Sequence, residues 1–258
     1  MPSPLTLMFL LLAAGLAGFI DGAVGGGGLI SVPAMFVALP GHATTTLLGS
    51  NKVVACAGTT FAAAQFVRSS IVPFRKMIGP MVAAGVGAAL GARTAYLFEG
   101  RFEAYMRPLM MAMMVGMLLF TLLKPQLGVT YAPRRGIRSQ TLLAILLSLA
   151  IGFYDGFFGP GTGTLLIFAF VVLLGFDFLR ASAMSKAVNW ASNIASLTLF
   201  IFNGSWLPLL AISMAAANGI GGFFGAKTAL VKGSKWVRTL FALVVTGLIL
   251  RLAWQQFL

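Results

Sequence analysis

Two lysines stand inside long apolar segments, apart from the loops that carry most of the other cations: Lys52 within residues 43–67 and Lys186 within 181–202. An ammonium buried in an apolar medium costs roughly 3 kcal/mol or more, so such a group faces a cavity or a partner. The neighbours of both are hydrogen-bonding residues. Ser50 and Asn51 precede Lys52, with Thr59 and Thr60 beyond it; Ser185 precedes Lys186, with Asn189, Ser192 and Asn193 beyond it. No acidic residue lies on either segment. Positive charge among neutral donors, with no local carboxylate, suits the binding of an anion. The other reading is a buried ion pair with Asp21 or Asp155 from the neighbouring segment, and one lysine can serve in both.

Asp21 and Asp155 each close an apolar segment and lead into glycine, as D-G-A-V-G-G-G-G over 21–28 and D-G-F-F-G-P-G-T-G over 155–163. Gly25, Gly26, Gly27 and Gly28, and Gly159, Gly161 and Gly163 around Thr162, supply backbone that can adopt positive φ. A helix restarting after such a break presents N–H groups and a positive dipole end, a natural anion site. The aspartates read either as coupling sites for a proton or sodium ion or as helix caps and lysine anchors. Neither glycine run has the G-x-x-x-x-G-K-[ST] spacing of a nucleotide loop. One histidine, His42, and one cysteine, Cys56, leave no intramolecular disulfide, no multi-cysteine or histidine-based metal centre and no Ser–His constellation. The residues predict no enzyme, no cofactor and no metal.

These residues occur twice. An offset of 134 carries Asp21 onto Asp155, Gly22 onto Gly156, Gly25 onto Gly159, Gly27 onto Gly161 and Lys52 onto Lys186. It also carries Gly91-Ala92-Arg93-Thr94-Ala95 onto Gly225-Ala226-Lys227-Thr228-Ala229. The chain therefore divides into a first repeat, 1–128, a short linker, 129–135, within the basic stretch 124–138, and a second repeat, 136–258. Duplicated halves are common in secondary transporters, whose sites lie where the halves meet.

The elements that must hold the lysines are helices in lipid. Of 258 residues, 59% are apolar and only 9% charged, against about a quarter charged in a soluble domain. Each half shows five apolar segments: about 4–20, 29–40, 43–67, 77–98 and 105–123, then 139–154, 164–176, 181–202, 205–231 and 236–257. The second of each half is too short for a crossing, which needs about 20 residues. It pairs with the first either as a re-entrant hairpin or as two short interrupted helices. Residues 5–20 lack a basic flank and have a counterpart in mid-chain, so they read as a helix rather than a signal peptide.

The net charge of +13 has a direction. With an odd number of crossings per half, Arg68, Arg75, Lys76, Lys124, Arg134, Arg135, Arg138, Arg180, Lys227, Lys232, Lys235 and Arg238 gather on one face. Only Arg101, Arg107 and Arg251 fall on the other. That asymmetry predicts inverted repeats with the basic face in the cytoplasm and both termini outside. The basic residues form no face or motif for nucleic acid. The expected class is an all-α integral membrane protein of two inverted repeats, with glycine-broken or re-entrant helices at their interface.

At GFIDGAVGGGG, SNKVVACAG, GFYDGFFGPGTG and SKAVNWASN the sequence resembles the TauE/SafE family of transporters, sulfite exporters and toluene-sulfonate uptake permeases, and most of all its YfcA-like branch. The resemblance implies a multi-pass protein of the bacterial inner membrane that moves small sulfur anions. By motif, Gly25–Gly28, Asn51, Lys52, Gly159–Gly163, Lys186 and Asn189 would line the site. The reading from sequence is thus a secondary transporter, an exporter of sulfite or organosulfonate-type anions working by alternating access. Ser50, Ser185, Thr162 and Asn193 would assist Lys52 and Lys186, and Asp21 or Asp155 would couple a proton or sodium ion. Partners are the anion and the bilayer, with a homo-oligomer left open; a passive anion channel and a membrane partner of another complex are the alternatives.

Overall fold

Capping residues and glycines set most of the helix boundaries in the computed structural model, which describes residues 3–39, 41–97 and 136–257. Ser3 accepts the Thr6 N–H at 3.2 Å and starts α1, Pro4–Val24, with proline in the first turn where its missing donor costs nothing. Gly25, at φ 80°, ends it. Then come α2 (Gly28–Ala38), α3 (Thr44–Arg68) and α4 (Phe74–Leu97). The second half supplies α5 (Ile137–Phe157), α6 (Thr162–Leu174), α7 (Phe178–Phe202) and α8 (Pro208–Phe257). Asp177 caps α7 by accepting the N–H groups of Leu179 and Arg180. Gly233, at φ 76° and ψ −175°, breaks α8 where the sequence predicts the division between its last two segments. Every described element is helical. Segment 105–123 and the linker lie outside the described residues.

Adding 134 to the bounds of α3 reproduces those of α7, and it carries the starts of α2 and α4 onto those of α6 and α8. Pro4–Val24, Arg138–Phe157 and Pro208–Val237 are long and apolar enough to cross a membrane. The 11 and 13 residues of α2 and α6 reach only about 16–20 Å, short of a hydrocarbon core of about 30 Å. Both fold back along the helix before them. Gln140, at the start of α5, donates its amide to the carbonyl of Leu174 at the end of α6, 3.0 Å away. In the first half, Leu7 and Leu39 border one hollow, and Leu10 and Ala14 share a core with Ala34 and Met35. Of the two arrangements expected for these segments, the hairpin is the one observed.

The halves interleave. Gly15 faces Ala217 and Gly22 faces Gly222, so α1 and α8 run in the same direction. Gly87 faces Leu149 and Gly91 faces Phe153, which gives α4 and α5 a common direction too. At the centre α3 and α7 run oppositely: Gly49 touches Phe200, Lys52 meets Asn193, and Trp190 donates to Thr60. The close crossings need glycine, because a Cβ on Gly22 would overlap the Gly222 backbone and one on Gly156 the Ala88 backbone. Leu12 and Leu16 on α1, Val82, Val86 and Leu90 on α4, and Leu142 and Leu146 on α5 point outward. Such apolar stripes at helical spacing are stable against lipid and not against water. The chain is a multi-pass membrane protein.

Candidate functional site

The two helix breaks meet in the middle of the molecule. Gly25 and Gly26 (φ 80° and 91°) lie against Gly163 and Thr164, and Gly28 lies against Pro160; Gly159 and Gly161 also have positive φ, 93° and 86°. A Cβ on Gly159 would stand 3.1 Å from the Lys52 ammonium, so glycine keeps that approach open.

Both lysines reach across to the other half. Lys52 Nζ lies 2.9 Å from Asp155 Oδ1, and it donates to the Asp155 carbonyl at 2.7 Å and to Asn193 Oδ1 at 3.3 Å. Asp155 also accepts the Thr162 hydroxyl on Oδ1 and the Ser192 hydroxyl on Oδ2, each at 2.7 Å. Lys186 Nζ meets Asp21 Oδ2 at 3.3 Å, and Asp21 Oδ1 accepts the Gly27 N–H at 3.3 Å. Each aspartate therefore joins a lysine of the opposite half to the restarting helix of its own half. The side chains of Lys52 and Asp155 are 4% and 2% exposed; that of Lys186 is fully buried, while Asp21 retains 13%. Two cations and two anions form a neutral quartet in a low-dielectric setting, where separating either pair is expensive.

A cavity of about 30 Å³ lies among these groups, room for about two waters and less than an oxyanion needs. Of the residues singled out from sequence, Gly26, Gly27, Gly28, Asn51 and Lys52 line it from the first half, with Asp21. Gly159, Gly161, Thr162, Gly163, Asn189 and Asn193 line it from the second, with Asp155. Four others are not on its wall. Gly25 is wedged against Gly163, and Lys186 stands behind Asp21. Ser185 donates to the Gly163 carbonyl at 3.0 Å. Ser50 donates to the Thr46 carbonyl and accepts the Leu207 N–H at 2.8 Å, fastening the start of α8.

Ser31, Ala55 and Asn218 complete the wall and were not anticipated. Ser31 donates to Asn51 Oδ1 at 2.6 Å, orienting that amide. Asn218 donates to the Ala14 carbonyl at 2.8 Å and presses its oxygen against Gly58. A lone amide in the apolar run 205–231 was the available signal for Asn218; Ser31 looked like any serine in a first helical turn. Among the described residues no group of three or more His, Cys, Asp or Glu side chains could hold a metal ion.

The chain matches the family described as sulfite exporter TauE/SafE over residues 10–252. It is 33% identical over 246 residues to the "Probable membrane transporter protein ORF9" of Sinorhizobium sp., covering 95% of this chain and 92% of the other. A "Probable membrane transporter protein" of Haemophilus influenzae is 33% identical over 251 residues, 97% and 96% of the two chains. The "Probable membrane transporter protein YfcA" of Escherichia coli K12 is 34% identical over 244 residues, 95% and 88%. No solved structure matches.

Proposed function

This chain belongs to the sulfite exporter TauE/SafE family, and from that premise we propose that it is a secondary transporter of small anions, sulfite or organosulfonates, across the bacterial inner membrane. The observation that carries the reading is the crossed pairing: each intramembrane lysine is neutralised by an aspartate of the other half, beside two broken helices and a small shared cavity. A merely structural ion pair needs neither glycine-broken helices nor a polar hollow beside it.

The neutral quartet sets the chemistry. An anion entering it must find unbalanced positive charge, which appears when a proton or sodium ion occupies an aspartate and releases its lysine. Asp155 is held by three donors at 2.7–2.9 Å, whereas Asp21 has two contacts at 3.3 Å. Asp21 is therefore the aspartate that gives up its lysine first, and Lys186 turns to the cargo. The N–H groups at the restarts of α2 and α6, with Asn51, Asn189, Asn193 and Thr162, complete the anion's hydrogen bonds.

The cavity must widen first toward one face and then the other, which is alternating access. The halves act in it as inverted repeats, a reading supported by the opposite directions of the equivalent helices α3 and α7.

Uptake of labelled sulfite and short sulfonates into proteoliposomes, with counterflow, is the test. Lys52→Ala and Lys186→Ala should each abolish it; unchanged transport in both removes the lysines from the mechanism. Flux without counterflow would replace the transporter with a passive channel.

A further inference from the structure

The molecule has a hollow at each end, and the two occupy equivalent places in the halves. One, of about 230 Å³, is bordered by Pro73, Lys76, Thr141, Phe176 and Arg180. The other, of about 440 Å³, is bordered by Leu7, His42, Leu207 and Leu210. Adding 134 to Leu7, His42, Pro73 and Lys76 gives Thr141, Phe176, Leu207 and Leu210, so four positions of each wall correspond. Because α3 and α7 run oppositely, the turns that precede them, at His42 and Phe176, lie at opposite ends.

Duplication would have made the two hollows chemically alike, yet they have diverged. Lys76 stands where the other half has Leu210, Arg180 where it has Thr46, and Thr141 where it has Leu7. Among the described residues, no carboxylate borders the Lys76 hollow. Asp177, the cap of α7, pairs with Arg180 at 3.5 Å and offsets part of its charge, so the unbalanced charge on the wall is that of Lys76. Arg75 and Arg138, both exposed, stand one and two residues from the hollow's own Lys76 and Gln140 and add to its positive potential. Its floor includes Met184, less than a helical turn from Lys186. A concave, positively charged mouth concentrates small anions and raises their rate of arrival.

We propose that the Lys76–Arg180 hollow is a recruiting site for the transported anion, an oxyanion of sulfite or sulfonate type. The apolar hollow at the other end has no such charge and gathers no anion. This rests on the transport reading and deepens it: anions collect at the basic, cytoplasmic face, and the ion gradients decide which way net flux runs.

Thiol labelling tests it independently of transport. Thr141→Cys in a Cys56→Ala background, in phosphatidylcholine nanodiscs, is treated with a methanethiosulfonate reagent bearing either a sulfonate or a trimethylammonium group. The sulfonate reagent should be favoured, relative to a free thiol, and Lys76→Gln should lower its rate about three- to tenfold while Lys76→Arg preserves it. High salt should erase the preference, and added methanesulfonate should protect the thiol. Leu7→Cys, at the equivalent place in the other hollow, should show no preference. Equal preference at both positions, or an unchanged rate in Lys76→Gln, overturns the proposal. So does protection by phosphatidylglycerol without protection by methanesulfonate, which would assign the hollow to a lipid headgroup. A protein that labels as expected but carries no sulfite or sulfonate retains the anion-binding hollow and loses the transport reading; sulfite transport without charge preference does the reverse.

Discussion

Replacing the Lys52–Asp155 pair by apolar residues separates a structural ion pair from a working one. In Asp155→Leu the buried ammonium of Lys52 keeps the residue-155 carbonyl and Asn193 Oδ1 as acceptors. Leaving a buried charge without its partner costs about 3–5 kcal/mol. In Lys52→Met the Asp155 carboxylate still accepts the Thr162 and Ser192 hydroxyls at 2.7 Å, each such bond to a charged group contributing about 1.5–3 kcal/mol. That variant should lose less, about 2–3 kcal/mol. The double variant buries no uncompensated charge and should return to within about 2 kcal/mol of the parent, a non-additivity of several kcal/mol. Detergent unfolding in mixed micelles measures the stabilities, and sulfite uptake in proteoliposomes measures the function. The expected result is a folded, stable double variant that transports nothing. Single-variant losses that add to within about 0.5 kcal/mol would refute the pairing energetics, and a double variant that transports would refute the role given to Lys52.

Asp21→Asn leaves the fully buried Lys186 ammonium without its carboxylate and should cost about 3–5 kcal/mol; counterflow should survive while a pH gradient ceases to drive net transport. Gly25→Ala should lower stability by about 3 kcal/mol or more, because φ is 80° with ψ 169° and the new Cβ would meet the Gly163 backbone. Gly204→Ala, at φ 67° with open space around it, should cost about 1 kcal/mol in the same unfolding assay. Ser50→Ala should cost about 1 kcal/mol and leave the KM for sulfite unchanged, since its hydroxyl ties the start of α8 and does not reach the cavity.

The helices were legible because their signals are local. A capping serine or aspartate, a glycine at positive φ and a 20-residue apolar run act within a turn or two of the chain, so α1, α3 and α7 lie within a few residues of where the sequence places them. The polar residues of the site were legible for a different reason. Lipid makes any buried charge or amide costly, so Lys52, Lys186, Asp21, Asp155, Asn189 and Asn193 stood out against 59% apolar composition. Ser50 and Ser185 were drawn in by adjacency, which says nothing about the side of a helix on which a residue falls. Successive residues of a helix point about 100° apart, and these two point into backbone contacts.

By itself, then, the amino-acid order determined a membrane-embedded, duplicated helical chain with costly charges beside glycine breaks, because lipid solvation, capping and backbone freedom act residue by residue. Only the tertiary structure decided that the charges cancel in pairs, with Lys52 meeting Asp155 across 103 residues and Lys186 meeting Asp21 across 165. It also decided that α2 and α6 fold back and that Asn218 reaches the cavity. Coulomb attraction and steric fit depend on distance in space, which a chain acquires only when its helices have packed.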